Sequence, residues 1–338
     1  MTAKQRIAFH VGIVLVLAAA VSGCVSRSVG PQPIGVPPAV PLSQLSGVTL
    51  HIGDQKGGTE ALLRAANALD NLPYRVVFST FTSGPPQIEA LNAGRIDFAV
   101  TGNTPPLFGA AANSKTRVVS VWDGAGSGEQ ILVRANSSTA TVHALKGKTI
   151  LVAKGSAAHA NVLEHLADAG LKPKDVKLVF LQPADALSAF ANGQGDAWVI
   201  WDPYTAQANL TLHVLSIGSA ANGYQFGSAS VKALTDAERN SALADLLVRY
   251  ERAAQWSRDN PVQWARKYAT AVGLDLKIAE LAQSRLRRLP VALDDKVVTA
   301  EQRLADLFAT ADQIPEAPDF IKWVDRRFNG VLPVASTT

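Results

Sequence analysis

Several short segments of this chain combine glycine with hydroxyl or amide side chains: Gln55-Lys56-Gly57-Gly58-Thr59, Thr82-Ser83-Gly84, Thr101-Gly102-Asn103 and Lys154-Gly155-Ser156. Each stands at the start of a stretch with helical spacing. Backbone N–H groups at a helix start have no intrahelical partner, and the helix dipole favours negative charge there. The hydroxyls of Thr82, Ser83, Thr101 and Ser156 add donors without adding charge. Such a set suits a tetrahedral or planar oxyanion. The same Ser and Thr residues can equally serve as helix caps; convergence of several loops on one cleft is what favours an anion. Trp198 and Trp201 lie beside Asp202 and Tyr204. Three apart on a strand, they face opposite sides, with Trp198 toward the core and Trp201 toward a cleft. There Trp201 would cover an organic tail.

No catalytic constellation accompanies these loops. The histidines at 51, 143, 159, 165 and 213 lack metal-ligand spacing, and HExxH is absent. There is no GxSxG elbow and no P-loop. Gly124-Ala125-Gly126-Ser127-Gly128 is followed by Glu129, an acid that opposes a phosphate cradle. The run therefore reads as a mobile loop, and Glu129 as either a surface or a cleft acid. Arg285, Arg287 and Arg288 read as a solvated helix end. We expect no metal, no cofactor and no catalysis. The competing reading is a membrane-anchored enzyme using Asp202 and His159 as a general acid/base pair; a sensor or adhesin on the same scaffold is a third.

The elements that position these loops form a repeated plan. Residues 48–52 read as a strand by alternation and β-branching. A helix with Ala61, Leu62, Ala65, Ala66 and Leu69 on one face follows, then a strand at 74–81. A helix opened by Ser83-Gly84-Pro85-Pro86 and stopped at Asn92-Ala93-Gly94 leads to a strand at 96–100. From Lys148 the order recurs: strand 149–152, a helix to Gly170, strand 176–181, a helix from Pro183 to Asn192-Gly193, and strand 196–201. Strands alternating with helices imply βαβ units and mostly parallel sheets, whose ligands sit beyond the carboxyl ends of the strands. All the loops above occupy such ends. Two similar lobes with one cleft between them follow, as does a two-domain α/β enzyme of like shape. Beyond residue 231 helices are expected over 237–250, 253–264, 276–286 and 300–310, packing back on the first lobe.

The chain has 338 residues, enough for two lobes. Its 18% charged residues argue against disorder, and its net charge of +4 has no basic stripe with interleaved aromatics, so nucleic acid is not an expected partner. Lys4 and Arg6 precede an apolar run over 7–20 that is short for a membrane span. Val21-Ser22-Gly23-Cys24 then ends in the only cysteine. This resembles the bacterial lipobox and implies cleavage before Cys24 and lipidation of its thiol; an ordinary signal peptide is the alternative. Pro31, Pro33, Pro37, Pro38 and Pro41 follow, which favours an extended, solvated tether.

The chain also resembles the aliphatic sulfonate-binding proteins of the ABC-transporter solute-binding group, which includes taurine and nitrate binders. The matching stretches are Ile52-Gly53-Asp54-Gln55-Lys56-Gly57, Gly84-Pro85-Pro86, Glu89-Ala90-Leu91-Asn92-Ala93-Gly94-Arg95-Ile96-Asp97 and Thr101-Gly102-Asn103-Thr104-Pro105-Pro106. Leu145-Lys146-Gly147-Lys148, Lys154-Gly155-Ser156 with His159, Pro183-Ala184-Asp185-Ala186, Asp196-Ala197-Trp198 and Ile200-Trp201-Asp202-Pro203-Tyr204 continue the match. The resemblance implies a two-lobe periplasmic-binding fold, each lobe a mostly parallel sheet flanked by helices, with a hinge and an interlobe cleft. It implies a membrane permease and its ATPase as partners; with the lipobox at Cys24, a monomer held to a bacterial membrane by lipid is expected. By motif, ligand contacts would come from Gln55, Ser83, Gly84, Thr101, Gly102, Asn103, Ser156, His159 and Trp201. Asn103 and Asp54 depart from the group's usual aspartate and tyrosine. A charge-free Asn103 beside the ligand favours simple alkanesulfonates over taurine, unless it only caps the following turn. Nitrate, bicarbonate and a thiamine-precursor pyrimidine are the rival ligands. The expected division is a signal segment at 1–23, a lipidated tether at 24–46, lobe 1 at 47–134 and 231–338, and lobe 2 at 135–230, with crossings near 134–137 and 226–231.

Overall fold

The computed structural model describes residues 30–332 apart from 57 and 138. The expected signal segment, Cys24, the start of the tether and Gly57 lie outside the described residues. Among the described residues no helix is long and apolar enough to cross a membrane.

The first unit is β1 (Thr49–Gln55), α1 (Gly58–Ala65), β2 (Arg75–Phe81), α2 (Gly84–Asn92) and β3 (Phe98–Gly102), continued by α3 (Thr104–Ala111) and β4 (Thr116–Asp123). After β5 (Gln130–Arg134) the plan repeats as β6 (Thr149–Val152), α4 (Ala157–Asp168), β7 (Lys177–Phe180), α5 (Pro183–Ala191) and β8 (Ala197–Ile200). Then come α6 (Tyr204–Thr211), β9 (Val214–Ile217) and β10 (Tyr224–Ser230). The C-terminal part comprises α7 (Val231–Thr235), α8 (Ala237–Asp259), α9 (Pro261–Val272), α10 (Leu276–Ser284), β11 (Leu289–Val291) and α11 (Asp295–Thr310).

Two sheets result, ordered β2-β1-β3-β10-β4-β11 and β7-β6-β8-β5-β9. β1 is parallel to β2 and β3, and β6 to β7 and β8, because helices make those crossovers. β10, which follows the second sheet in the chain, lies antiparallel between β3 and β4, β11 lies antiparallel at the edge beside β4, and β5 lies antiparallel between β8 and β9. The chain therefore passes between sheets at 124–129 and 218–223, one strand earlier than the expected 134–137 and 226–231. The alternation of strands and helices carries no information on which sheet a crossing strand joins.

The core follows the sheets. Leu50, Ile52, Phe98 and Trp122 pack against Leu62 of α1, Leu243 and Leu247 of α8 and Trp264 of α9. In the second sheet Ile131, Ile150 and Val199 meet Val162 and Leu166 of α4 on one face. Leu132, Trp198 and Ile200 meet Phe190 of α5 on the other. A further cluster joins Leu107 of α3, Leu163 of α4 and Phe308 of α11, so apolar contact also links the lobes. α8 runs unbroken to Asp259, where separate helices at 237–250 and 253–264 were expected. Nothing at 251–252 interrupts it, whereas Pro261 lacks an N–H and fits the first turn of a new helix.

The Pro-rich segment is a strap rather than a solvated tether from Gly30 onward. Arg117 Nη2 donates to the Gln32 carbonyl at 2.9 Å, Arg327 Nη2 to the Ile34 carbonyl at 3.3 Å, and Val40 N to Ser241 Oγ at 2.9 Å. Ile34 and Val40 pack on the first lobe's core. Carbonyls of an extended segment are free to accept, and two largely buried arginines use them.

Candidate functional site

A cleft of about 180 Å³ lies between the two sheets' strand ends. Gln55 ends β1, Thr101 and Gly102 end β3, and Trp201 follows β8, so the strand-end rule brings these residues to one place. All four line the cleft, as do Gly84, Ser156 and Ala157, where α2 and α4 begin. A Cβ on Gly102 would lie 2.9 Å from the Ala157 Cβ, so glycine there lets β3 approach α4 of the facing lobe.

All four expected hydroxyl donors are already engaged. Ser156 Oγ donates to the Ala153 carbonyl at 2.7 Å and Thr101 Oγ1 to the Gly102 carbonyl at 3.1 Å. Thr82 Oγ1 and Ser83 Oγ both donate to Gln182 Oε1, at 3.0 and 3.1 Å. These last bonds join the first lobe to the second. Asp54 Oδ1 accepts from Thr59 N at 2.7 Å and Glu60 N at 3.2 Å, so the chain's own carboxylate occupies the α1 terminus expected to hold an anion. The α1 start lines the cleft through Gly58 and Thr59, but its N–H groups are taken by Asp54; Gly84 and Ser156-Ala157 bring the starts of α2 and α4 to the same wall.

Three expected contacts are not brought to the cleft wall. Ser83 is wholly buried in its bond to Gln182. Asn103 is wholly buried too; its Nδ2 donates to the Asn222 carbonyl at 2.9 Å and to Asn222 Oδ1 at 3.2 Å, and its Oδ1 accepts from Thr104 Oγ1 at 2.9 Å. His159 sits among Phe108, Phe180 and Phe308 and accepts from Gly155 N through Nδ1 at 3.2 Å. Burial, helped by the nearby Lys154 ammonium, pushes its pKa down to about 3, which makes it a neutral core residue. Asp202 does line the cleft, but its partners are Ala206 N at 2.9 Å and Arg285 Nη1 at 3.5 Å, so it forms no pair with His159. Among the described residues no cluster of His, Cys, Asp and Glu could hold a metal ion.

Sequence reasoning missed the C-terminal contribution to this wall. Tyr250 of α8, Tyr268 of α9 and Gln283 of α10 line the cleft, as do Arg285 and Arg288 in the turn before β11. Only Arg287 behaves as a solvated arginine, with a side chain 56% exposed beside Asp123. Arg288 is buried, at 5% exposure. On helices α8 and α9 the two tyrosines share the apolar face with core residues, so spacing alone does not separate them. A cluster of three arginines within four positions was the available signal.

The two interlobe crossings border the cleft through Gly124, Gly126, Gly128 and Gly223. Gly124 N donates to the Gly223 carbonyl at 2.9 Å, and a Cβ on Gly223 would lie 2.2 Å from Gly126 N. The two interlobe crossings thus lie backbone against backbone, and the glycine-rich run read as a mobile loop is one of them. Lys56 Nζ lies 4.5 Å from the Tyr204 ring centre, and Arg285 reaches Asp202. With Gln182, these contacts span the lobes.

A profile of the family described as NMT1/THI5 like matches residues 82–263. The chain is 35% identical over 277 residues to a protein of Escherichia coli (strain K12) named as an aliphatic sulfonates-binding protein, covering 80% of this chain and 86% of that one. A Bacillus subtilis (strain 168) protein of the same name is 31% identical over 281 residues, covering 82% and 83%. The solved alkanesulfonate-binding protein of Xanthomonas axonopodis pv. citri, bound to MOPS, has a TM-score of 0.75 at 30% identity, covering 82% of this chain and 98% of that one.

Proposed function

The chain belongs to the NMT1/THI5-like family, and from that premise we propose that it is the extracytoplasmic solute-binding component of an ABC importer, capturing an aliphatic sulfonate between its lobes. The observation that carries the reading is the interlobe cleft itself. Its wall joins the starts of α2 and α4 with Trp201 and Tyr204. The Gly84 N–H and the α4 start suit an oxyanion head, Pro85 and Pro86 having no N–H to give, and the rings suit an apolar tail. Contacts from both lobes give a ligand differential affinity for the closed state, which is the thermodynamic requirement for ligand-driven closure.

The closed complex would deliver its ligand to a membrane permease served by an ATPase. Lipidation of Cys24 would hold the protein on the outer side of a bacterial membrane. Relatives that bear the name of sulfonate binders support the ligand class. Calorimetric titration with straight-chain alkanesulfonates, nitrate, bicarbonate and an aminopyrimidine tests it: sulfonate should bind without turnover. Binding confined to one of the other three would overturn the ligand, and consumption of the sulfonate would overturn the binding role. Cys24→Ala should move the protein from the membrane to the soluble fraction; a variant that stays lipid-labelled would refute the anchor.

A further inference from the structure

Arg288 stands apart from its neighbours. Arg258 has Glu251 at 2.9 Å, Arg285 has Asp202 at 3.5 Å and Arg287 has Asp123 at 2.9 Å. Among the described residues no carboxylate pairs with Arg288; its Nη2 donates to Gln283 Oε1 at 3.1 Å, and its guanidinium lies 5.5 Å from the Trp264 ring centre. Burial pushes its pKa below the ordinary guanidinium value, a shift that Tyr250 and Tyr268 oppose and Arg258 adds to. Its backbone has a φ of +48°, in the left-handed region that a non-glycine residue adopts at a cost.

The surroundings hold this strained arginine in place. Arg258 Nη1 donates to the Arg288 carbonyl, and Arg258 is itself fixed by Glu251, which accepts from Trp122 Nε1 at 2.9 Å. Gln283 Oε1 accepts from Trp264 Nε1 at 2.8 Å as well as from Arg288. A guanidinium keeps its charge when buried, and a buried charge is costly without a compensating one. Arg288 lines the cleft. Its planar fork of N–H groups matches two oxygens of a sulfonate, phosphonate or carboxylate.

We propose that Arg288 is the specificity-determining charge of the cleft, forming the ion pair with the ligand's oxyanion head while Trp201 and Tyr204 face its tail. This rests on capture of a small organic anion, as argued above, and adds the residue that reads the charge. The ligand then must carry at least two oxygens on one anionic centre, and a neutral isostere is rejected because it would leave the guanidinium desolvated and unpaired.

The test titrates the full chain with an alkanesulfonate and with the sulfonamide of equal length. The native protein should prefer the sulfonate by about 100-fold, and Arg288→Gln should lose about 100-fold in sulfonate affinity. Arg288→Lys should recover part of the loss, and Arg287→Gln should bind as the native protein does. An Arg288→Gln protein that melts normally and keeps native sulfonate affinity would overturn the assignment and leave sulfonate capture standing. Should that variant not fold, the Arg288 Nε–H resonance of the native protein, assigned by its absence from Arg288→Lys, decides. It should shift on adding sulfonate and not sulfonamide, and an unmoved resonance overturns the proposal. If the native protein ignores sulfonates, carboxylate and phosphonate analogues take their place. Loss of such binding in Arg288→Gln upholds the arginine against a failed ligand class, and equal binding of neutral isosteres refutes both.

Discussion

Asn103 shows how a residue's partners can outweigh its position on a strand end. It follows Thr101 and Gly102 at the cleft, yet its amide points away and is spent on Asn222 and Thr104. Asparagine serves here because one end donates while the other accepts. An aspartate would turn a carboxylate oxygen toward the Asn222 carbonyl and Oδ1, two acceptors, in a site that water does not reach. Asn103→Asp should therefore cost about 1–3 kcal/mol of stability and leave the preference between taurine and an alkanesulfonate unchanged. Denaturant unfolding and paired calorimetric titrations measure the two effects. A stable variant with a new taurine preference would show that position 103 does speak to the ligand. His159 has a similar history: its motif suggested ligand contact, but three phenylalanines enclose it.

Among the elements, α1 has only eight residues, and its start is held by Asp54. A carboxylate there satisfies otherwise orphaned N–H groups and complements the helix dipole. Asp54→Ala should lower the unfolding free energy by about 1–2 kcal/mol, read as a reduced denaturation midpoint at unchanged slope; an unchanged midpoint would refute the cap. The repeated strand–helix order was legible in the sequence because Pro73, Gly94, Pro183 and Gly193 punctuate runs of clear period. Gln55, Thr101, Gly102, Ser156 and Trp201 came with it, since strand ends of parallel units converge. What was not legible depends on contacts far apart in the chain. Which sheet β5 and β10 join is one such case. The arrival of Tyr250, Tyr268 and Arg288 at a wall built by the N-terminal half is another. The strap over 30–41 was read as free because its prolines forbid a helix, while its anchors, Arg117 and Arg327, lie in remote segments.

At the scale of the whole molecule, closure and folding respond to different conditions. Gln182 accepts two hydroxyl hydrogen bonds from the opposite lobe at a partly exposed edge. Gln182→Ala should leave thermal stability nearly unchanged and speed ligand release by about 3–10-fold, the equivalent of one net hydrogen bond or slightly more. Stopped-flow dissociation measures this, and an unchanged release rate would exclude Gln182 as a latch. Folding, by contrast, should depend on pH through buried acids. Burial pushes Glu129 and Glu301 up to about 8, and Glu164 and Asp202 up to about 7. A carboxyl with a raised folded pKa contributes stability that is complete below its unfolded value and lost as pH rises through the folded one. His159 acts in the opposite sense: its depressed pKa contributes stability present above the unfolded imidazole value and lost as pH falls toward about 3. Between pH 5 and 8 four carboxyls oppose one imidazole, and above about pH 6.5 the imidazole is neutral in both states. The urea midpoint should therefore fall steadily as pH is raised from 5 to 8. Glu301, wholly buried and bonded to Asn222 Nδ2 at 3.1 Å, offers the sharpest control. Glu301→Gln keeps an acceptor for Asn222 and removes the titration, so it should flatten the profile by roughly one proton. A midpoint that rises with pH over this interval, or a Glu301→Gln profile parallel to the native one, would mean that these carboxyls are solvated in the folded protein.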